Sequence, residues 1–285
     1  MKRGPAHLVL MAALVLVSTS GPFLVCARMD AYAVVFWRMA LSALLFLGWA
    51  AATGTLRGIP AARVRQMALA ALLLTAHFVL WVKAFDLTDF SSNLLLLVMQ
   101  PVIAAFLGVR LGEPATRDTW ISIGLAVVGL AVIAGGDFAL GPRALLGDAM
   151  CILGDLAMAL FYVTARDARR VTPLPAFMGI TLALGSLAMA PVLALGGARL
   201  FRYPAASWGW MAALVAFTTV GGHGLMNLAA RHVRLFALNV VIVLEPAIGI
   251  LLGAALLDAT VRPLQAAGGI VLGVSVIIGL RGSFR

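Results

Sequence analysis

The sequence predicts an all-α integral membrane fold of ten transmembrane helices, arranged as two inverted five-helix repeats. Three observations lead there. Of the 285 residues 63% are hydrophobic and 11% charged, and the mean hydropathy of +1.06 is beyond what a water-soluble domain carries. The apolar stretches come in pieces close to 20 residues, the helical length that crosses a hydrocarbon core of about 30 Å. A set of unusual residues in the first half recurs in the second at a constant offset.

Apolar runs bounded by Arg, Asp, Gly and Pro place the spans at about 6–27, 31–52, 66–86, 89–109, 118–136, 147–165, 175–196, 208–229, 235–257 and 263–281. The first begins like a signal peptide, with Met1-Lys2-Arg3 before an apolar run, but it continues past Gly21-Pro22 to Cys26 and is read as an uncleaved span. The second carries an internal Arg38. The third has His77, Trp81 and Phe85 every four residues, an aromatic stripe on one face. The fourth places Asn93 and Gln100 seven residues apart on one face. The fifth is rich in glycine over 123–136, and the sixth presents Cys151, Asp155, Met158 and Tyr162 at intervals of 4, 3 and 4. The seventh contains Pro191, and the eighth carries the polar stripe Thr219, His223 and Asn227. Glu245-Pro246 lies inside the ninth, and Gly269 with Gly273 gives the tenth a small-xxx-small contact. No connector reaches 15 residues, which leaves no extramembrane domain to house chemistry or nucleic-acid binding.

The cations set the orientation. With the N-terminus inside, fourteen Lys and Arg fall on cytoplasmic segments, including Arg166, Arg169, Arg231 and Arg234, against six on the other side. Both termini are therefore expected in the cytoplasm, at the inner (plasma) membrane, and the net charge of +10 is a topology signal rather than a nucleic-acid footprint.

A shift of 145 residues brings Gln100-Pro101 onto Glu245-Pro246, Glu113 onto Asp258, Arg117 onto Arg262 and Gly124 onto Gly269. The spacings of 12, 4 and 7 are the same in both halves. Helix ends attract acids and arginines in any membrane protein, so the constant spacing is what points to duplication. Five spans per half is an odd number, so the second unit, 138–285, enters the bilayer in the opposite sense to the first, 1–137. Inverted repeats suit exchange between inward-open and outward-open shapes around a midplane site.

An ionised side chain at the bilayer centre costs roughly 2.5–3.5 kcal/mol on insertion scales, so embedded polar groups should face the protein interior. The candidate substrate-binding residues are His77, Trp81, Asn93, Gln100, Asp155, Tyr162, His223, Asn227, Glu245 and Arg38. Each also fits a hydrogen bond that holds the bundle together. Arg38 either snorkels to the outer interface or points inward toward a carboxylate. Glu245 can take up a proton, unless a cation such as Arg38 is close enough to hold it ionised. Pro22, Pro101, Pro191 and Pro246 mark expected bends, and Ser18-Thr19-Ser20 would restore lost backbone bonds or touch substrate.

An enzyme is not expected. The chain has no GxSxG, no HExxH and no Walker A sequence, and its histidines at 7, 77, 223 and 232 are scattered. Cys26 and Cys151 lack metal or redox spacing, so neither a metal nor a cofactor is called for.

The Xaa-Pro pairs in spans four and nine, the Leu111-Gly112-Glu113 turn, the glycine-rich fifth span, and Phe161-Tyr162 before the basic turn that ends the sixth resemble the drug/metabolite transporter superfamily. The nearest branch is the EamA-type permeases, including the YddG type. The resemblance implies a secondary active or facilitative exporter of small metabolites, foremost aromatic and neutral amino acids, functional as a monomer in the lipid bilayer. Export of drugs, cations or other metabolites is the alternative within the superfamily, and a channel or intramembrane enzyme lies further off. It also implies a cavity lined by helices 1, 2, 3, 4, 6, 7, 8 and 9, with 5 and 10 to one side. The first span lacks the glutamate that small exporters of the superfamily use for proton exchange.

Overall fold

The structure is a computed structural model that describes residues 3–112, 115–138, 141–229 and 245–284. Glu113, Arg231, His232, Arg234 and the first part of the expected ninth span lie outside the described residues. Within them the chain is helical with no strand, and seven helices are long and apolar enough to cross a membrane.

The first span is broken into α1 (Arg3–Val17) and α2 (Ser20–Ala27), and the fourth into α5 (Phe90–Leu96) and α6 (Met99–Arg110). Both breaks sit upstream of the prolines rather than on them. A proline lacks its N–H and crowds the carbonyl four residues earlier, which is Ser18 for Pro22 and Leu97 for Pro101, and the helix opens at 18–19 and 97–98. Hydroxyls repair the first break: Ser18 Oγ donates to the Leu14 carbonyl at 2.8 Å and Thr19 Oγ1 to that of Leu16 at 2.7 Å. Pro191 behaves differently, since its helix runs through it for one and a half turns more.

The other spans are α3 (Ala31–Ala52), α4 (Ala61–Ala84), α7 (Arg117–Phe138), α8 (Pro142–Arg169) and α9 (Leu174–Gly196). The eighth is composite, α10 (Ala205–Ala213), a π-helical segment (Leu214–His223) and α11 (Gly224–Ala229). They are followed by α12 (Glu245–Leu257) and α13 (Pro263–Phe284). Helix α8, 28 residues long, outruns its apolar core. It starts with Pro142 at the first helical position, where a missing N–H costs nothing, and it ends in a basic last turn. The eighth span departs most from expectation, because a π segment rotates the face that a four-residue stripe would define.

Helix α4 packs on α8, α3 on α9, α7 on α13, and the first span on the π segment and α11. Small residues permit the closest approaches. A Cβ at Gly222 would lie 2.9 Å from the Val17 nitrogen, so the first and eighth spans meet backbone to backbone. Between α7 and α13 the close contact is Gly129 against Leu272, reinforced by Ser275 Oγ donating to the Ser122 carbonyl at 2.7 Å. The expected contact through Gly269 and Gly273 is not where these helices meet: a Cβ at Gly273 would touch nothing within 4 Å. The interior is filled by Phe46, Phe78, Phe161, Phe177 and Met39, while Leu44, Leu72, Leu187, Leu251 and Ile270 face outward, as lipid contact requires. Arg169, expected among the loop cations, is instead buried, and its Nε donates to the Asn227 carbonyl at 3.2 Å.

Candidate functional site

Seven spans contribute to one buried cavity, and the irregular backbone lies on its wall. Val17 and Ser20 flank the break in the first span, Leu97 and Gln100 flank or follow the break in the fourth, and His223 ends the π segment. Non-helical backbone at membrane depth is tolerated where it is buried in protein or lines a cavity. Helix α3 adds Arg38, α4 adds His77, Phe78 and Trp81, α8 adds Met158 and Tyr162, and α12 adds Glu245 at its first turn. Among the described residues nothing in the lining comes from the fifth, seventh or tenth span. The resemblance placed the seventh on the wall, and here it packs on α3 and is absent from the lining described.

Arg38 organises one side. It is fully buried and so points inward rather than to the interface. Its Nε donates to Thr219 Oγ1 at 2.9 Å and its Nη1 to Ser20 Oγ at 3.3 Å, while its guanidinium carbon sits 4.1 Å from the centre of the Phe78 ring. Such a cation–π contact contributes about 2 kcal/mol when desolvated. The aromatic wall continues along α4: His77 stacks on Trp81 with centroids 6.2 Å apart, and Trp81 meets Phe85 edge-on at 5.0 Å, the stripe that the four-residue spacing predicts. His77 is fixed by Nδ1 donating to the Gly154 carbonyl at 2.9 Å.

Four polar atoms of the lining residues have no partner among the described residues: Arg38 Nη2, Trp81 Nε1, Tyr162 Oη and His223 Nδ1. Each buried orphan costs about 1–3 kcal/mol, and four around one space mark a place where a polar ligand would supply what the protein does not. In this conformation the space open to the centre of a water molecule is about 20 Å³, enough for one or two waters. No lining residue is more than 9% exposed. The centre is closed in this conformation.

Seven of the ten candidate residues meet here: Arg38, His77, Trp81, Gln100, Tyr162, His223 and Glu245. Three do not. Asn93 donates to the Trp81 carbonyl at 3.2 Å and its Oδ1 accepts from Cys151 Sγ at 3.0 Å, a bond that ties α4, α5 and α8. Asn227 donates to the His223 carbonyl at 2.9 Å, inside its own span. Asp155 is fully buried with neither oxygen partnered, yet it lies outside the lining. Sequence reasoning missed Phe78, the platform beneath Arg38, although its position three residues before Trp81 puts it on the same helical face.

The fold has a counterpart among solved structures. A solved crystal structure covers 100% of this chain and 99% of its own, with a TM-score of 0.76 at 16% sequence identity, which shows a shared fold. Comparison with curated proteins gave no match. The model of the EamA-like transporter family matches residues 4–135 and 145–281, nearly the whole length. The chain therefore belongs to the EamA-like transporter family and is a multi-pass membrane transporter of small metabolites.

Proposed function

We propose that the protein is a ten-span secondary carrier that exports an amino acid with a sizeable apolar side chain, by alternating access around the cavity described above. The carrying observation is the cavity itself, where broken spans, a fixed guanidinium, aromatic rings and four unpartnered polar atoms converge. Ligand sites of this kind are mostly apolar, with a few polar groups that fix orientation.

The pairing of helices supports two inverted units, 1–137 and 138–285. Exchanging the halves maps the α3–α9 and α7–α13 pairs onto themselves. It also maps α4 against α8 onto the eighth span against the first, and both contacts exist. Two equivalent units of opposite sense rock around a shared site and open it to each face in turn. The cation distribution supports cytoplasmic termini in the inner membrane. The cavity is built within one chain, which suits a monomer.

Counterflow tests this reading. Proteoliposomes preloaded with unlabelled amino acid should take up labelled amino acid faster and transiently above equilibrium, which a channel or enzyme does not produce. A screen across amino acids, nucleosides and cationic drugs fixes the cargo, and absence of counterflow with every class refutes the carrier.

A further inference from the structure

Arg38 and Glu245 line the same cavity without touching. No ion pair or hydrogen bond joins Glu245 to any described residue, so the guanidinium and the carboxylate are more than 4.0 Å apart at their nearest nitrogen and oxygen. Arg38 is held on three sides, by Thr219, Ser20 and the Phe78 ring, and its Nη2 edge alone has no partner. Two buried groups of opposite charge that face one space and are not paired are costly, because neither water nor the other group compensates them.

We propose that these two residues recognise the two charges of a zwitterion. The guanidinium edge of Arg38 takes a carboxylate, the Glu245 carboxylate takes an ammonium, and the cavity thereby selects an α-amino acid over an amine or an acid with the same side chain. The assignment rests on the carrier reading above and gives it a polar specificity. A lone anion would satisfy Arg38 and leave Glu245 unpaired, and a lone cation would do the reverse. An α-amino acid bears both charges on one carbon and satisfies both walls at once. Tyr162 and Trp81 bring one further donor each, and Val17, Leu97 and Met158 offer an apolar wall for the side chain. Asp148 and Asp155, the other buried carboxyl groups described, are outside the lining and take no part. His77 and His223 line the same cavity as Arg38, and both pack against the Phe78 ring that lies under it, His77 with its Nδ1 engaged by Gly154.

Competition in the counterflow assay tests the pairing. L-Phenylalanine, or whichever amino acid counterflows best, is compared with its decarboxylated and deaminated analogues, phenethylamine and 3-phenylpropionate for phenylalanine. In the unaltered protein each analogue should compete at least about tenfold more weakly, the loss expected when a buried charged partner goes unmatched. Arg38→Gln should weaken the amino acid and 3-phenylpropionate while sparing phenethylamine. Glu245→Gln should weaken the amino acid and phenethylamine while sparing 3-phenylpropionate, and Arg38→Lys should recover part of the loss. A variant that merely misfolds loses all three ligands together, and the competition order in the unaltered protein then decides alone. Analogues that compete as well as the amino acid overturn the proposal while the carrier stands. Counterflow of nucleosides or cationic drugs but of no amino acid does the same. No counterflow of any solute overturns both.

Discussion

Joining residue 89 to residue 265 with a short bifunctional thiol reagent, in a variant carrying Asp89→Cys and Gln265→Cys, is expected to stop counterflow, and reductive release of the bridge to restore it. The proposed carrier has a gate where the start of the fourth span bonds to the start of the last helix. Gln265 Nε2 donates to Asp89 Oδ2 at 2.8 Å and to Ser92 Oγ at 3.0 Å, Ser91 Oγ donates to the Thr260 carbonyl at 3.2 Å, and Arg262 stands 3.6 Å from Asp89. The Arg262–Asp89 pair is half-exposed and contributes about 0–1 kcal/mol. The hydrogen bonds contribute about 0.5–1.5 kcal/mol each. Under the proposed alternating access such bonds favour the closed form without locking it, and the double variant should still transport before the reagent is added. A covalent bridge removes the opening altogether. Full flux after verified cross-linking would mean that this end never opens.

Replacing Phe78 with alanine should lower stability by about 3–5 kcal/mol, as for other large-to-small changes at buried aromatic positions. The ring is 1% exposed, lies under the Arg38 guanidinium at 4.1 Å, and meets His223 edge-on at 5.6 Å. Its loss leaves both a void and a buried cation without its aromatic face. Phe78→Leu separates the two effects, since it keeps most of the apolar volume and removes the ring, and should cost about 2 kcal/mol, the value of a desolvated cation–π contact. Equilibrium unfolding in detergent micelles measures both. Equal, small losses for the two variants would show that Arg38 does not depend on the ring.

Much of the architecture was legible because a membrane imposes one length and one polarity rule on every span. Apart from the ninth, whose first part lies outside the described residues, the spans called from apolar runs agree with the helices observed to within a few residues, except at the polar ends of α4 and α8. The breaks were legible in kind and wrong in place. Pro22 and Pro101 act on the carbonyl four residues earlier, so the openings fall at 18–19 and 97–98, whereas Pro191 bends nothing enough to divide α9.

Side-chain direction was harder to read. The spacing of His77 and Trp81 gave a true face because α4 is a regular helix. Thr219, His223 and Asn227 straddle a π segment, and there the same spacing sends Thr219 to Arg38, His223 to the cavity and Asn227 to its own backbone. Asn93 and Gln100 lie on opposite sides of a break, which parts them: Gln100 reaches the wall while Asn93 holds α4 to α8. Arg38 left two orientations open in the sequence. The acceptors that decide between them, Ser20 and Thr219, belong to other spans, and sequence spacing does not report what other spans supply.

The central claim is that one cavity is exposed alternately to the two faces of the membrane. A cysteine at His223, with Cys26 and Cys151 replaced and with or without the pair at 89 and 265 already bridged, tests it by reaction with a membrane-impermeant thiol reagent applied to either face of sealed vesicles. The account predicts labelling from both faces, slowed by substrate, with the 89–265 bridge in place abolishing labelling from the face it closes and preserving it from the other. Labelling from neither face, or from one face alone whatever the state of the bridge, would contradict it.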